Sequence, residues 1–300
     1  MTEATKNLRA VRIDPDAGDV GGGLAPAPVR ENFPVASVLI AAPLRPSVRA
    51  FYDVVRAADD IADHPQLAAA TKARRLNEIE AGLAGDPAGD ARALTLLQVL
   101  SAIGQRSAAR HALHMLDAFR SDIRAEPCRD WDDLMRYCHA SANPVGRFLL
   151  ELHGEGDDAT DASDALCSAL QVLNHLQDMG ADRRELGRVY LPLRMIEAAG
   201  SGVEDLDRAA LTPGLRGAFD CALAKTDGLL DRAAPLPAVI GSRRLAAEAR
   251  VILSLARSLR RRLAVGDPLA HRIAPRRRDA ARAGAAGLLR LVAMPSGNRY

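Results

Sequence analysis

The sequence predicts an all-α protein, and three observations carry that prediction. Apolar residues recur at the 3.6-residue period of a helix through most of the chain, Gly and Pro interrupt the pattern at intervals, and no β-branched alternation runs long enough for a strand. In order, the periodic stretches are 46–63, 67–84, 91–103, 106–124, 131–139, 146–152, 162–184, 214–233 and 243–264. Asp63-His64-Pro65 closes the first and Gly85-Asp86-Pro87 the second, while Pro144 and Gly154-Glu155-Gly156 bracket the sixth. Leu211-Thr212-Pro213, the Pro235/Pro237 pair and Gly266-Asp267-Pro268 separate the last ones. Proline removes a backbone donor and glycine relaxes the chain, so each cluster is a physical stop. The expectation is one all-helical domain over residues 31–290. Residues 1–30 carry Gly21-Gly22-Gly23 and Ala25-Pro26-Ala27-Pro28 with few large apolar side chains. That segment cannot offset its ordering entropy, which predicts disorder. Residues 291–300 read as a tail.

Composition narrows the function classes. With 48 % hydrophobic and 26 % charged residues the chain is an ordinary globular protein. A net charge of +2 argues against a nucleic-acid binder. Aromatics make up 3 %, so an apolar cavity must be lined mainly by Leu, Val, Ile and Ala. Cys128, Cys138, Cys167 and Cys221 fit neither a zinc site nor a disulfide framework, and read as buried thiols in a reducing compartment. No histidine sits in HExxH or ExxH spacing, which argues against a zincin or a di-iron bundle. Gly21-Gly22-Gly23 lacks the strand–turn–helix context of a nucleotide site. The N-terminus has no apolar signal core, and the longest apolar run, 35–44, is half a membrane span and contains Pro43. The expectation is a cytoplasmic protein that can rest on a membrane but does not cross it. Arg276-Arg277-Arg278 reads first as a solvated patch, with contact to anionic lipid as its functional alternative, and the apolar 288–294 stretch could press on a bilayer.

Two acidic sites carry the chemistry. The first is Asp59-Asp60-Ile61-Ala62-Asp63; at about 100° per residue, Tyr52, Arg56, Asp59 and Asp63 share one narrow stripe. An Asp pair at i, i+4 alone reads as a solvated helix face. The second site, about 120 residues on, changes the balance: Gln171, Asn174, Asp178 and Asp182 again form one stripe. Carboxylates and amide oxygens are hard donors of the kind Mg²⁺ prefers, leaving room for waters and phosphate. Like-charged pairs at i, i+4 destabilise a helix by a few tenths of a kcal/mol each, so cations are expected from outside the chain. Facing helices of this kind would cage several Mg²⁺ ions and a diphosphate, the machinery for ionising an allylic or cyclopropylcarbinyl diphosphate. His175 borders the second stripe and reads as core or surface, not as a ligand.

On these residues the chain resembles the squalene/phytoene synthase family, the head-to-head prenyl synthases, over about residues 31–193 and more weakly to about 290. Phe51-Tyr52-x-x-x-Arg56-x-x-Asp59-Asp60-x-x-Asp63 resembles the family's first Asp-rich motif. Tyr137-Cys138 with Val145-Gly146 resembles its central segment. Gln171-x-x-Asn174-x-x-x-Asp178-x-x-x-Asp182, followed by Gly187-Arg188-Val189-Tyr190-Leu191-Pro192, resembles the second motif and its flap. Within the family, Glu31-Asn32-Phe33-Pro34-Val35-Ala36-Ser37, the run from Arg56 to Pro65, Ser141-Ala142-Asn143-Pro144-Val145-Gly146-Arg147 and Asn174-x-x-Gln177-Asp178 are similar to the bacterial hydroxysqualene synthase branch. Two departures stand out. Arg30-Glu31-Asn32 replaces the family's His-Ser-Lys-Ser, and Gln177 stands where enzymes that couple two prenyl diphosphates often carry Arg.

The resemblance implies an isoprenoid-synthase-type helical bundle around a central apolar cavity. It implies Mg²⁺ held by Asp59, Asp63, Asn174, Asp178 and Asp182, with Arg56, Gln171, Asn174, Arg188 and Tyr190 at the substrate diphosphate. Asp59, Asp63, Asp178, Asp182, Tyr52 and Tyr137 are the implied catalytic residues. The implied substrate is presqualene diphosphate, which loses diphosphate and gains water, with companion squalene-pathway enzymes on either side. Coupling of two prenyl diphosphates, or a non-catalytic family member, are the alternatives.

Overall fold

The computed structural model describes residues 39–293. The expected disorder over 1–30 and the tail beyond 293 fall outside the described residues. Among the described residues the structure is helical and contains no strand. The helices are α1 (Arg45–Asp63), α2 (Ala69–Ala84), α3 (Ala91–Ala102), α4 (Arg110–Arg124), α5 (Trp131–Ser141), α6 (Asn143–Leu152), α7 (Thr160–Ala181), α8 (Leu193–Ala198), α9 (Pro213–Ala233), α10 (Leu236–Val239), α11 (Arg243–Leu263) and α12 (Arg277–Ala293).

Local chemistry fixes their ends. Asp90, Asp130, Thr212 and Ser242 accept backbone N–H bonds at the starts of α3, α5, α9 and α11, which satisfies donors that a helix start leaves free. Gly85 closes α2 at φ 97°, a left-handed conformation that a side chain would strain. Pro144 does not stop a helix; it lies in the first turn of α6, where its missing N–H costs nothing. The predicted 162–184 helix changes winding at Asp182, where Asp182–Leu186 form a wider π-type turn ending at Gly187, φ 69°. The short α8 and α10 were not anticipated, and α12 extends the weaker helical continuation to Ala293.

The core falls into two apolar clusters. One gathers α1 to α4 and part of α6, with Leu76, Leu96, Leu100, Leu116 and Phe148 fully buried. The other gathers α5, α7, α9 and α11 around Leu173, Leu215, Phe219 and Leu259. Phe51 stacks on Phe148 at 4.0 Å, fixing α1 against α6. Gly146 lets α6 press on α7, because a Cβ there would collide with Ser163 and Cys167. Cys128 and Cys138 are buried as expected and Cys167 half-buried, but Cys221 stands exposed on α9. No helix among the described residues is long and apolar enough to cross a membrane. Arg276, Arg278 and Leu288 are exposed around and along α12.

Candidate active site

Helix α1 carries Tyr52, Arg56, Asp59 and Asp63 on successive turns, all but Arg56 half-buried. Arg56 reaches Asp59 at 3.2 Å and Asp60 at 2.9 Å. The Asp59 carboxyl is nevertheless pushed up to about 7, chiefly by burial and then by Asp63, with Arg56 only partly offsetting them.

Helix α7 supplies the second row. The Asp178 carboxyl is likewise pushed up by burial and then by Asp182, with Arg272 and His175 opposing the shift. Gln171 Nε2 lies 3.0 Å from His175 Nε2, and His175 Nδ1 lies 3.8 Å from Asp182. His175 is i+4 from Gln171 and shares its face, so it belongs to the site's wall and not to a detached surface. Asn174 stands half-buried on the same row.

The turn after α7 brings the two rows together. Arg188 N–H donates to Asp182 O at 3.1 Å, and the left-handed Gly187 swings the chain toward α1. There Arg188, 7 % exposed, donates to Asp63 Oδ1 at 2.6 Å and to Ala62 O at 3.4 Å. Burial opposes its charge, but Asp122, Tyr190 and Asp63 together outweigh burial and raise its pKa.

Asp122, on α4, holds the centre. The Tyr137 hydroxyl donates to its Oδ2 at 2.9 Å and the Tyr190 hydroxyl to its Oδ1 at 2.8 Å. The two hydroxyls lie 3.4 Å apart. Burial pushes Asp122 up, while Arg188 and both hydroxyls pull it down. Burial, reinforced by Asp122, also raises both phenols. The His175 ring stacks on Tyr190 at 3.6 Å. Two linked sets result, Asp63 with Arg188, and Asp122 through Tyr190 and His175 to Asp182; the Arg188 charge also acts on the Asp122 carboxyl.

Sequence reasoning missed Asp122 and set His175 aside. A signal for Asp122 was present: it continues the buried row His111, Met115, Ala118 on α4, an odd place for a carboxylate. Gln177 also has a different job from the one its motif suggests. It is 2 % exposed and donates to the Ile273 carbonyl.

Among the described residues no three His, Cys, Asp or Glu side chains close on one point as a ready-made metal cage. The donor set nonetheless suits Mg²⁺, which binds through one or two carboxylates and completes its shell with water and substrate phosphate. The negative charge of Asp63 beside Asp59, and of Asp182 beside Asp178, adds to burial in raising Asp59 and Asp178, and this is the excess negative charge that such a cation offsets.

The squalene/phytoene synthase family model matches residues 27–280. A hydroxysqualene synthase of Rhodopseudomonas palustris is 44 % identical over 243 residues, 81 % of this chain and 82 % of that protein. Another, from Zymomonas mobilis, is 42 % identical over the same shares of both chains. The crystal structure of a squalene synthase from Alicyclobacillus acidocaldarius superposes with a TM-score of 0.65 at 28 % identity, covering 76 % of this chain and 85 % of that one. The helical fold, the paired acidic rows and these likenesses over most of the length agree: the chain belongs to the squalene/phytoene synthase family.

Proposed function

We propose that this protein is a hydroxysqualene synthase acting as a carbon–oxygen lyase: presqualene diphosphate ionises, rearranges and takes up water, giving hydroxysqualene and diphosphate. The observation that carries this reading is the 44 % identity to a protein of that name over 81 % of the chain. Asp59, Asp63, Asn174, Asp178 and Asp182 would hold Mg²⁺, which would supply Lewis-acid neutralisation of the leaving diphosphate's charge. Arg188 orients Asp63 through the 2.6 Å bond and adds positive charge beside the leaving group. Arg56 adds a second cation from α1, and Gln171 with Asn174 offers amide groups to phosphate oxygen. Because they are pre-set, these charges and dipoles need not reorganise as charge develops, which is where electrostatic catalysis gains most.

Asp122 fixes the Tyr137 and Tyr190 hydroxyls, so their rings and lone pairs meet the carbocation in one geometry. Tyr52 stands on the α1 stripe facing the same chemistry. The apolar cavity that the family resemblance implies would exclude stray water until the ring-opened cation is captured.

Gln177 favours a lyase over a prenyltransferase. Its amide is committed to Ile273, so this position lends no cation to a second diphosphate. Supplying the purified protein and Mg²⁺ with presqualene diphosphate, farnesyl diphosphate or geranylgeranyl diphosphate separately tests the assignment. Hydroxysqualene from the first alone is the expected result, and coupling of farnesyl diphosphate overturns it. The chemistry also requires companion enzymes, one to supply presqualene diphosphate by coupling and one to consume the alcohol.

A further inference from the structure

Helix α11 carries seven arginines, and the structure sorts them. Arg243 donates to the Leu291 carbonyl and Arg244 to the Leu39 carbonyl at 2.9 Å. Arg260 pairs with Asp227 and Arg262 donates to Asp279 at 3.0 Å. The other three, Arg250, Arg257 and Arg261, have neither an ion pair nor a hydrogen bond among the described residues. Their spacing of seven and four places them on one stripe, where they line a groove of about 100 Å³ with Leu253 and Ser254. Arg257 and Arg261 repel each other at i, i+4, and among the described residues no acid pairs with either. Just past the helix end, four residues beyond Arg261, Val265 is 89 % exposed.

Three uncompensated guanidinium groups beside an apolar side chain held out in water match one kind of surface, a bilayer rich in anionic phosphate head groups. We propose that this α11 stripe docks the protein on an anionic phospholipid membrane, with the arginines on lipid phosphates and Val265 entering the head-group layer. A free phosphate would satisfy the arginines but gives Val265 nothing to bury. Docking rests on the proposed function for its purpose, because both substrate and product are long hydrocarbons that partition into lipid. It does not depend on that function for its test.

The experiment is co-sedimentation of the full chain with phosphatidylcholine vesicles, with and without phosphatidylglycerol. Binding to the anionic vesicles and not the neutral ones is expected. The Arg250→Gln/Arg257→Gln/Arg261→Gln variant should lose affinity about fivefold per arginine, about a hundredfold in all. An equal-charge control removing the exposed Arg92, Arg124 and Arg232 should bind nearly as well as the parent. Equal losses in both variants would reduce the effect to net charge and overturn the proposal, as would release by inorganic phosphate at an ionic strength where chloride releases nothing. Turnover of detergent-dispersed presqualene diphosphate should be the same in the stripe variant and the parent. A parent that binds vesicles but turns nothing over would count against the assigned reaction and leave the docking surface standing.

Discussion

Arg188 donates to Asp63 across 2.6 Å, joining the turn after α7 to the acidic end of α1. One guanidinium thereby ties the chain that follows the α7 row to the acidic end of the α1 row. Arg188→Met should remove that tie and leave Asp63 and the buried Asp122 without their cation. We expect a stability loss of about 2–3 kcal/mol in urea denaturation and a fall in kcat of at least about a hundredfold. Arg188→Lys keeps the charge but not the fork, and should recover stability more than turnover.

The raised Asp59 carboxyl makes metal binding pH-dependent. A ligating carboxylate must lose its proton, and Asp59 holds its proton to about pH 7. Calorimetric Mg²⁺ affinity in the presence of inorganic diphosphate should therefore rise with pH, up to about tenfold per unit, and level off above pH 7. Asp59 has the opposite effect on the metal-free fold. The folded state keeps a proton that the unfolded state releases near 3.8, so stability in chelator falls as pH rises from 3.8 toward 7 and is flat above. An apparent affinity that does not change across this range would contradict the assignment of Asp59 as a ligand.

Asp59→Ala and Asp178→Ala should each abolish diphosphate release while the protein remains folded. Each substitution removes a half-buried carboxylate that a neighbouring carboxylate repels, so melting in chelator should stay level or rise. Near-parental turnover in either variant would refute the metal-binding roles.

Asp122→Asn keeps the shape of the side chain but leaves one tyrosine hydroxyl without its acceptor. Turnover should drop at least about tenfold with little change in KM, because the group positions tyrosines and does not bind substrate. In a double-mutant cycle with Tyr190→Phe the losses should fall short of additive, with a coupling of about 0.5–3 kcal/mol. Strict additivity would mean that the two residues act separately.

The acidic rows on α1 and α7 could be read from the sequence because helical period alone puts those carboxylates on a stripe. Asp122 could not be placed in that way. Its partners Tyr137 and Tyr190 are 15 and 68 residues away, and periodicity within one element says nothing about which helices meet. The sequence reads His175 as core or surface beside the stripe, whereas it shares the Gln171 face and stacks on Tyr190. Pro144 was read as a separator because proline is tolerated in a first turn and forbidden in an interior, and the motif does not say which applies. The change of winding at Asp182 has no compositional marker; only Gly187, which ends it, was visible as part of a motif.

Gln177 and Asp178 are neighbours on α7, one held in the interior by the Ile273 carbonyl and the other on the acidic row. Were the helix to slip by a single residue, a carboxylate would confront that carbonyl and an amide would take the ligand's place. The segment around Ile273 therefore works as a detent, registering the screw position of a helix whose working side chains lie on its other flank.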